Sequence, residues 1–185
     1  LMPSNVAYLS DLSEAGGSAL LIGLDFEAKL FVPEMSLEAA EAEASECSIE
    51  PIKLGERLVD RLASELKALG LREVSLDDAR WSFVSELREK SGAEFRRSDA
   101  IFELRKVKEP SELELMGRAA EMADAGMEAA LEAVRPGARE CEIAAEAEAA
   151  MRRAGCQAFA FDTIVASGPR YSLPHAGCSD REVRD

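Results

Sequence analysis

The amino-acid sequence predicts an α/β (α+β) fold in two parts, and three observations carry the prediction. Over residues 1–105, short apolar runs alternate with stretches of helical periodicity, the pattern of a sheet with helices packed on it. After residue 105 the runs lengthen into two helices separated by Pro136-Gly137. The last stretch is a Gly/Pro-containing loop around His175. At about 150 residues per domain, 185 residues leave room for one large or two small domains. The expected division is 1–105 and 106–185, at a hinge rather than a long linker.

Taken in order, SALLIGL (18–24) and KLFVP (29–33) read as two strands joined by a tight turn at DFEA. The Ala/Glu-rich stretch 36–45 reads as a helix, and CSIEPI (47–52) as a strand that Pro51 assigns to a sheet edge or a strand end. Residues 53–70 form the clearest helical pattern of this half, with Leu54, Leu58, Val59, Leu62, Leu66 and Leu69 on one stripe and Gly70 as the stop. A strand over 71–77 and a helix over 78–92 follow, with Trp81 and Phe83 expected in packing. Ser111 and Glu114 have the spacing of a capping box, which starts a helix running to Val134. Its expected apolar face holds Leu115, Ala119, Met122, Ala123, Met127, Ala130 and Leu131. A second helix spans about 140–154, and 157–168 is a strand candidate through Phe161, Ile164 and Val165.

Composition narrows the function. The formal charge is −14, from 22 basic and 36 acidic residues, which argues against nucleic acid as a partner, since its phosphates want Lys and Arg clusters. No run of about 18 apolar residues exists to cross a membrane. The opening LMPSNVAYLSD lacks a basic segment followed by a long apolar one, so no signal peptide is expected. Cys47, Cys141, Cys156 and Cys178 form no CxxC pair and are expected as reduced thiols in a cytoplasmic protein. Leu rather than Met at position 1 is not what a natural start is expected to show.

Candidate chemistry is sparse. There is no HExxH, no HxH and no cysteine pair, so no metal site can be composed from spacing. Neither a phosphate-binding glycine loop nor a GxSxG elbow is present, and the acidic residues are expected on helix surfaces. His175, in SLPHAG, remains. A histidine on such a loop can exchange a proton or a hydrogen bond with a substrate carbonyl near neutrality, or simply fill the loop. Cys178 lies three residues on and reads as an ordinary loop thiol; Tyr8 and Tyr171 read as loop residues.

FDTIVASGPRYSLPHAG (161–177), preceded by the two helices around Pro136-Gly137, resembles the pita-bread metallopeptidases, in the branch of the Xaa-Pro peptidases (aminopeptidase P and prolidase) with creatinase as a relative. NVAYLSDL (5–12) and the α/β half after it look like the creatinase/prolidase N-terminal domain, which argues against methionine aminopeptidase. The resemblance implies a creatinase/prolidase-type N-terminal α/β domain (1–105) followed by the first part of a pita-bread domain (106–185), in a cytoplasmic homodimer. It implies hydrolysis of the peptide bond before proline by a pair of divalent ions (manganese, cobalt or zinc) held by two Asp, one His and two Glu. In the family these ligands follow the PH motif, so none transfers to this chain. His175 alone transfers, as the family's non-ligand catalytic and substrate-contacting histidine. The family's N-terminal domain also begins with a helix and strand ahead of the NVAYLSDL stretch. Residues 1–185 by themselves are therefore expected to be inactive. The alternatives are a creatinase-like hydrolase of a small C–N bond, which needs no metal, and a non-catalytic pita-bread module that binds peptides or proteins.

Overall fold

The computed structural model describes residues 1–184. The chain divides into two units, Leu1–Val107 and a second that begins at Lys108.

The first unit is built around one strand. Strand β1 (Ala19–Ile22) runs antiparallel to β2 (Ala28–Pro33), and β2 runs parallel to β3 (Ser48–Ile52). Because successive side chains alternate faces, β2 serves both sides of the sheet. Phe31 joins Ile52, Val59, Leu62, Leu66 and Leu87 on one side. Leu30 and Val32 join Val6, Leu12 and Ala40 on the other. All three β2 side chains are fully buried, as befits a central strand covered on both faces. Pro51 lies on β3, whose outer edge needs no ladder donor, so the missing N–H of proline costs nothing there.

Helix α1 (Pro3–Ser10) precedes the sheet, and α2 (Leu37–Glu43) covers the side that holds Leu30 and Val32. Helix α3 (Leu58–Ala68) packs on the Phe31 side and against α4 (Trp81–Ser91), which stops at Gly92 with φ of 74°. Two short parallel strands, β4 (Glu73–Leu76) and β5 (Glu94–Arg97), form a second sheet, and α5 (Ala100–Lys106) ends the unit. β1 and β4 each have one unpaired edge, and both line a cavity of about 450 Å³ with Val6, Leu62, Leu66 and Phe95. Lys29 donates to Glu65 at 2.7 Å, while Arg61 bridges Glu65 and Glu50 and lies 5.1 Å from the Phe31 ring centroid.

Several expectations are corrected here. The helix expected from 53 starts only at Leu58, because Gly55 takes φ of 88° in a turn closed by Glu56 N–H on the Lys53 carbonyl. Leu54 is consequently exposed rather than part of the stripe. Trp81 is also exposed, since it opens α4 on the side away from the core, while Phe83 packs against the Phe31 cluster. α1, β5 and α5 had no sequence expectation of their own; each is too short to show a period.

The second unit is a helical hairpin with a strap. Helix α6 (Pro110–Ala133) packs on α7 (Glu140–Arg153). α6 begins with Pro110 at its first position, and the Glu109 N–H donates to Glu112 Oε2 at 2.9 Å. The capping box thus sits two residues before the expected Ser111 and Glu114, because proline is pre-organised for the first helical position. The face that meets α7 overlaps the expected one only in part, through the half-buried Met122 and Ala130. It centres on Gly126, where an added Cβ would stand 2.6 Å from Met151 Cγ and 3.2 Å from the Ala147 carbonyl oxygen. Leu115, Met127 and Leu131 of the expected face are exposed. Residues 157–168 form no strand; Ile164 makes a single antiparallel bridge to Gly177. A strand is defined by its ladder, and among the described residues this segment has no further partner.

Candidate functional site

The loop that carries His175 begins after α7 and is written by turns. Arg170 N–H donates to the Ser167 carbonyl at 3.1 Å, Tyr171 to Gly168 at 3.1 Å, and Leu173 to Arg170 at 2.9 Å. Gly168 has φ of 52°, a left-handed backbone conformation that favours glycine. His175 emerges exposed between Pro174 and the buried Ala176. Two residues on, the Gly177 carbonyl accepts from Arg170 Nη2 at 2.7 Å while Gly177 bridges to Ile164. The imidazole is therefore presented to solvent from a backbone whose neighbours are fastened.

What fastens them is a buried carboxylate at the head of α7. Glu140 is completely inaccessible to solvent. Its Oε1 accepts the Ser167 N–H at 2.7 Å and the Ser167 hydroxyl at 2.9 Å. Its Oε2 accepts the Ser179 hydroxyl at 2.7 Å and the Arg170 guanidinium. Arg170 also donates to Ser179 Oγ at 2.7 Å. Burial pushes the Glu140 carboxyl up, but the donors from Ser179, Ser167 and Arg170 outweigh it and hold it below the ordinary glutamate value. The same region caps α7. The N–H groups of Glu140 and Cys141, orphans of the first turn, donate to the carbonyls of Arg181 and Ser179 at 3.0 and 3.1 Å.

Glu140 corrects the expectation that the acidic residues sit on helix surfaces. The signal was present: Glu140 precedes Ile143, Ala144 and Ala147 at the i+3, i+4 and i+7 spacing of the buried face of α7. A carboxylate at the head of an apolar stripe is a buried group that requires donors. Cys178 is exposed, and Tyr171 is exposed on the loop. Tyr8 belongs to the first unit, with the Arg105 guanidinium 5.8 Å from its ring centroid.

Among the described residues no three His, Cys, Asp or Glu converge on a point that could hold a cation. The residues present do not fit a metal pair, and no chemical step on this chain is assigned to one. No helix among the described residues is long and apolar enough to cross a membrane.

Comparison with known proteins adds an independent line. Residues 1–107 match the creatinase/prolidase N-terminal domain, and residues 114–185 match metallopeptidase family M24. The Xaa-Pro dipeptidase of Pyrococcus furiosus is 37% identical over 98% of this chain, which covers 51% of that protein. The crystal structure of the prolidase from Pyrococcus horikoshii OT3 superposes with a TM-score of 0.88 at 32% identity, over 98% of this chain and 51% of that one. The X-Pro aminopeptidase from Thermotoga maritima MSB8 does so with a TM-score of 0.83 at 28% identity, over 99% of this chain and 52% of that one. The chain thus spans about half the length of the curated relatives it matches.

Proposed function

Because the chain belongs to the creatinase/prolidase family, with part of a family M24 metallopeptidase domain after its N-terminal domain, we propose that it is a portion of an Xaa-Pro peptidase, a hydrolase of the bond that precedes proline. The observation that supports this most is that the likeness to Xaa-Pro dipeptidases extends over both units rather than one. The wider protein is assigned a pair of divalent ions, manganese, cobalt or zinc, held by residues other than those described. It is assigned a cytoplasmic setting and a homodimeric state.

The part of this chain in the reaction is His175. An Xaa-Pro bond is a tertiary amide whose nitrogen carries no hydrogen, so a site cannot hold it through that N–H. Its carbonyl oxygen remains the available handle. An exposed imidazole on a fastened loop can donate a hydrogen bond to that oxygen as negative charge develops on it. His175 is therefore assigned as a catalytic and substrate-binding residue, and as a hydrogen-bond donor rather than a metal ligand.

Two measurements test the reading. Intact mass of the purified natural protein is taken first. A mass near 20.0 kDa predicts no peptidase activity and favours a binding role. A mass near twice that predicts hydrolysis of an Xaa-Pro dipeptide that a chelator abolishes and manganese restores. Cleavage of creatine that survives the chelator would overturn the peptidase assignment in favour of a creatinase-like one.

A further inference from the structure

A carboxylate removed from water is costly unless donors meet its oxygens, and Glu140 is fully buried with both oxygens doubly met. The identity of the donors matters more than their number. Ser167 stands three residues after the Ile164 bridge, Arg170 lies within the loop, and Ser179 stands where the loop returns to the α7 cap. All three end on one side chain. Arg170 then reaches onward to the Gly177 carbonyl, two residues from His175.

We propose that Glu140 is a positioning residue, whose carboxylate closes the Ser167–Ser179 loop on itself and thereby sets where the His175 imidazole stands. The inference rests on the catalytic role assigned to His175 above. Its structural half, control of the loop, is independent of that role.

Glu140→Gln tests it. The amide replaces one oxygen with a donor that faces either the Ser167 N–H and hydroxyl or the Ser179 hydroxyl and Arg170, so two of the four donors lose their acceptor. His175 is the sole histidine of the chain, so its imidazole C2–H gives one NMR resonance in the 185-residue protein. In Glu140→Gln that resonance is expected to narrow and move to the position of a mobile histidine. Exchange of the Ser167 N–H is expected to accelerate by about tenfold or more, as local opening becomes cheaper. The α6 and α7 amides keep the exchange rates they have in the unsubstituted chain. An unchanged imidazole resonance and unchanged Ser167 exchange would overturn the proposal. Should Glu140→Gln also expose the α6 and α7 amides, Ser179→Ala decides. It removes one donor, keeps the charge pair, and is expected to shift the same two signals part of the way; no shift overturns the proposal.

In a complete enzyme that contains this chain, Glu140→Gln is expected to lower kcat on an Xaa-Pro dipeptide by up to about 10²-fold, the scale of a misplacement near 1 Å, with KM little changed. In a His175→Ala background the same substitution is expected to cost less than about twofold. Full multiplicative loss in that background would show that Glu140 does not act through His175. Absence of any Xaa-Pro cleavage by the unsubstituted enzyme would instead defeat the function assigned to the protein, while the exchange and resonance measurements would still judge the loop.

Discussion

His175 and Glu140 lie at opposite extremes of exposure, and each is suited to a different task. An exposed imidazole can meet a substrate, whereas a carboxylate with no solvent access can only organise protein. In the role proposed for it, His175→Ala in the complete enzyme lowers turnover by about 10²-fold, the effect of deleting one donor to a developing oxyanion. Metal content, measured by atomic emission on the same samples, is expected to be unchanged; equal loss of both would assign His175 to the metal instead. Glu140 predicts a pH dependence. Its pKa is lowered in the folded chain, so the folded state binds fewer protons than the unfolded one through that window. The stabilisation is complete above the ordinary glutamate range and is lost as pH falls through the lowered value. The Ser167 amide shift, followed by NMR from neutral to acid pH, should therefore titrate below the ordinary glutamate midpoint, and Glu140→Gln should abolish that titration. The role proposed for His175 came from the motif around it. The burial of Glu140 was signalled by its place on the apolar stripe of α7, but its donors were not, because they lie 27 to 39 positions away and only the fold brings them to it.

At the scale of elements, the two glycines of α6 separate helix propensity from packing. Gly117 has nothing within 4 Å of an added Cβ, so Gly117→Ala should stabilise the chain by about 0.8–1 kcal/mol through helix propensity alone. Gly126 faces Met151 Cγ and the Ala147 carbonyl oxygen, so Gly126→Val should destabilise by about 1–3 kcal/mol from overpacking against α7. Urea denaturation of the two variants checks both signs, and a destabilised Gly117→Ala or a stabilised Gly126→Val would refute the packing. The helices over 58–68, 81–91, 110–133 and 140–153 were foreshadowed by periodicity and stop signals. The face of α6 was foreshadowed only in part. The expected stripe mixes large and small residues, and Met122 and Ala130 of it turn inward while Leu115, Met127 and Leu131 do not, because the close approach of α7 is centred on Gly126. The segment 157–168 reads as a strand for its apolar residues, yet the ladder needs neighbours that the described residues do not supply.

For the whole molecule, the two units differ in how much apolar surface they bury on their own account. The first has two clusters built from Phe31, Leu30, Leu62, Leu66 and Val32. The buried apolar residues of the second are Ala138, Ile143, Ala144, Ala147 and Ala176. Full burial of a Leu- or Phe-sized side chain contributes about 1.5–3 kcal/mol, and an alanine far less. Meanwhile Leu115, Met127, Leu131 and Phe161 stay exposed. A polypeptide of residues 106–185 is therefore expected to exchange most of its amides rapidly in deuterated buffer. Strong protection throughout α6 and α7 in that polypeptide would show that the hairpin is self-sufficient.

Alternating apolar runs, helix stop signals and the FDTIVASG…PH motif determined the fold class, most of the elements and the family, because each is a local property that a short window of residues can encode. The tertiary structure alone decided that β2 would be buried on both faces, that α6 would meet α7 around Gly126, and that Glu140 would be sealed beneath the loop. Those three outcomes depend on which distant groups arrive at the same place. Burial of a charge or of a particular helix face is settled by the sum of all contacts there, and no single segment carries that sum.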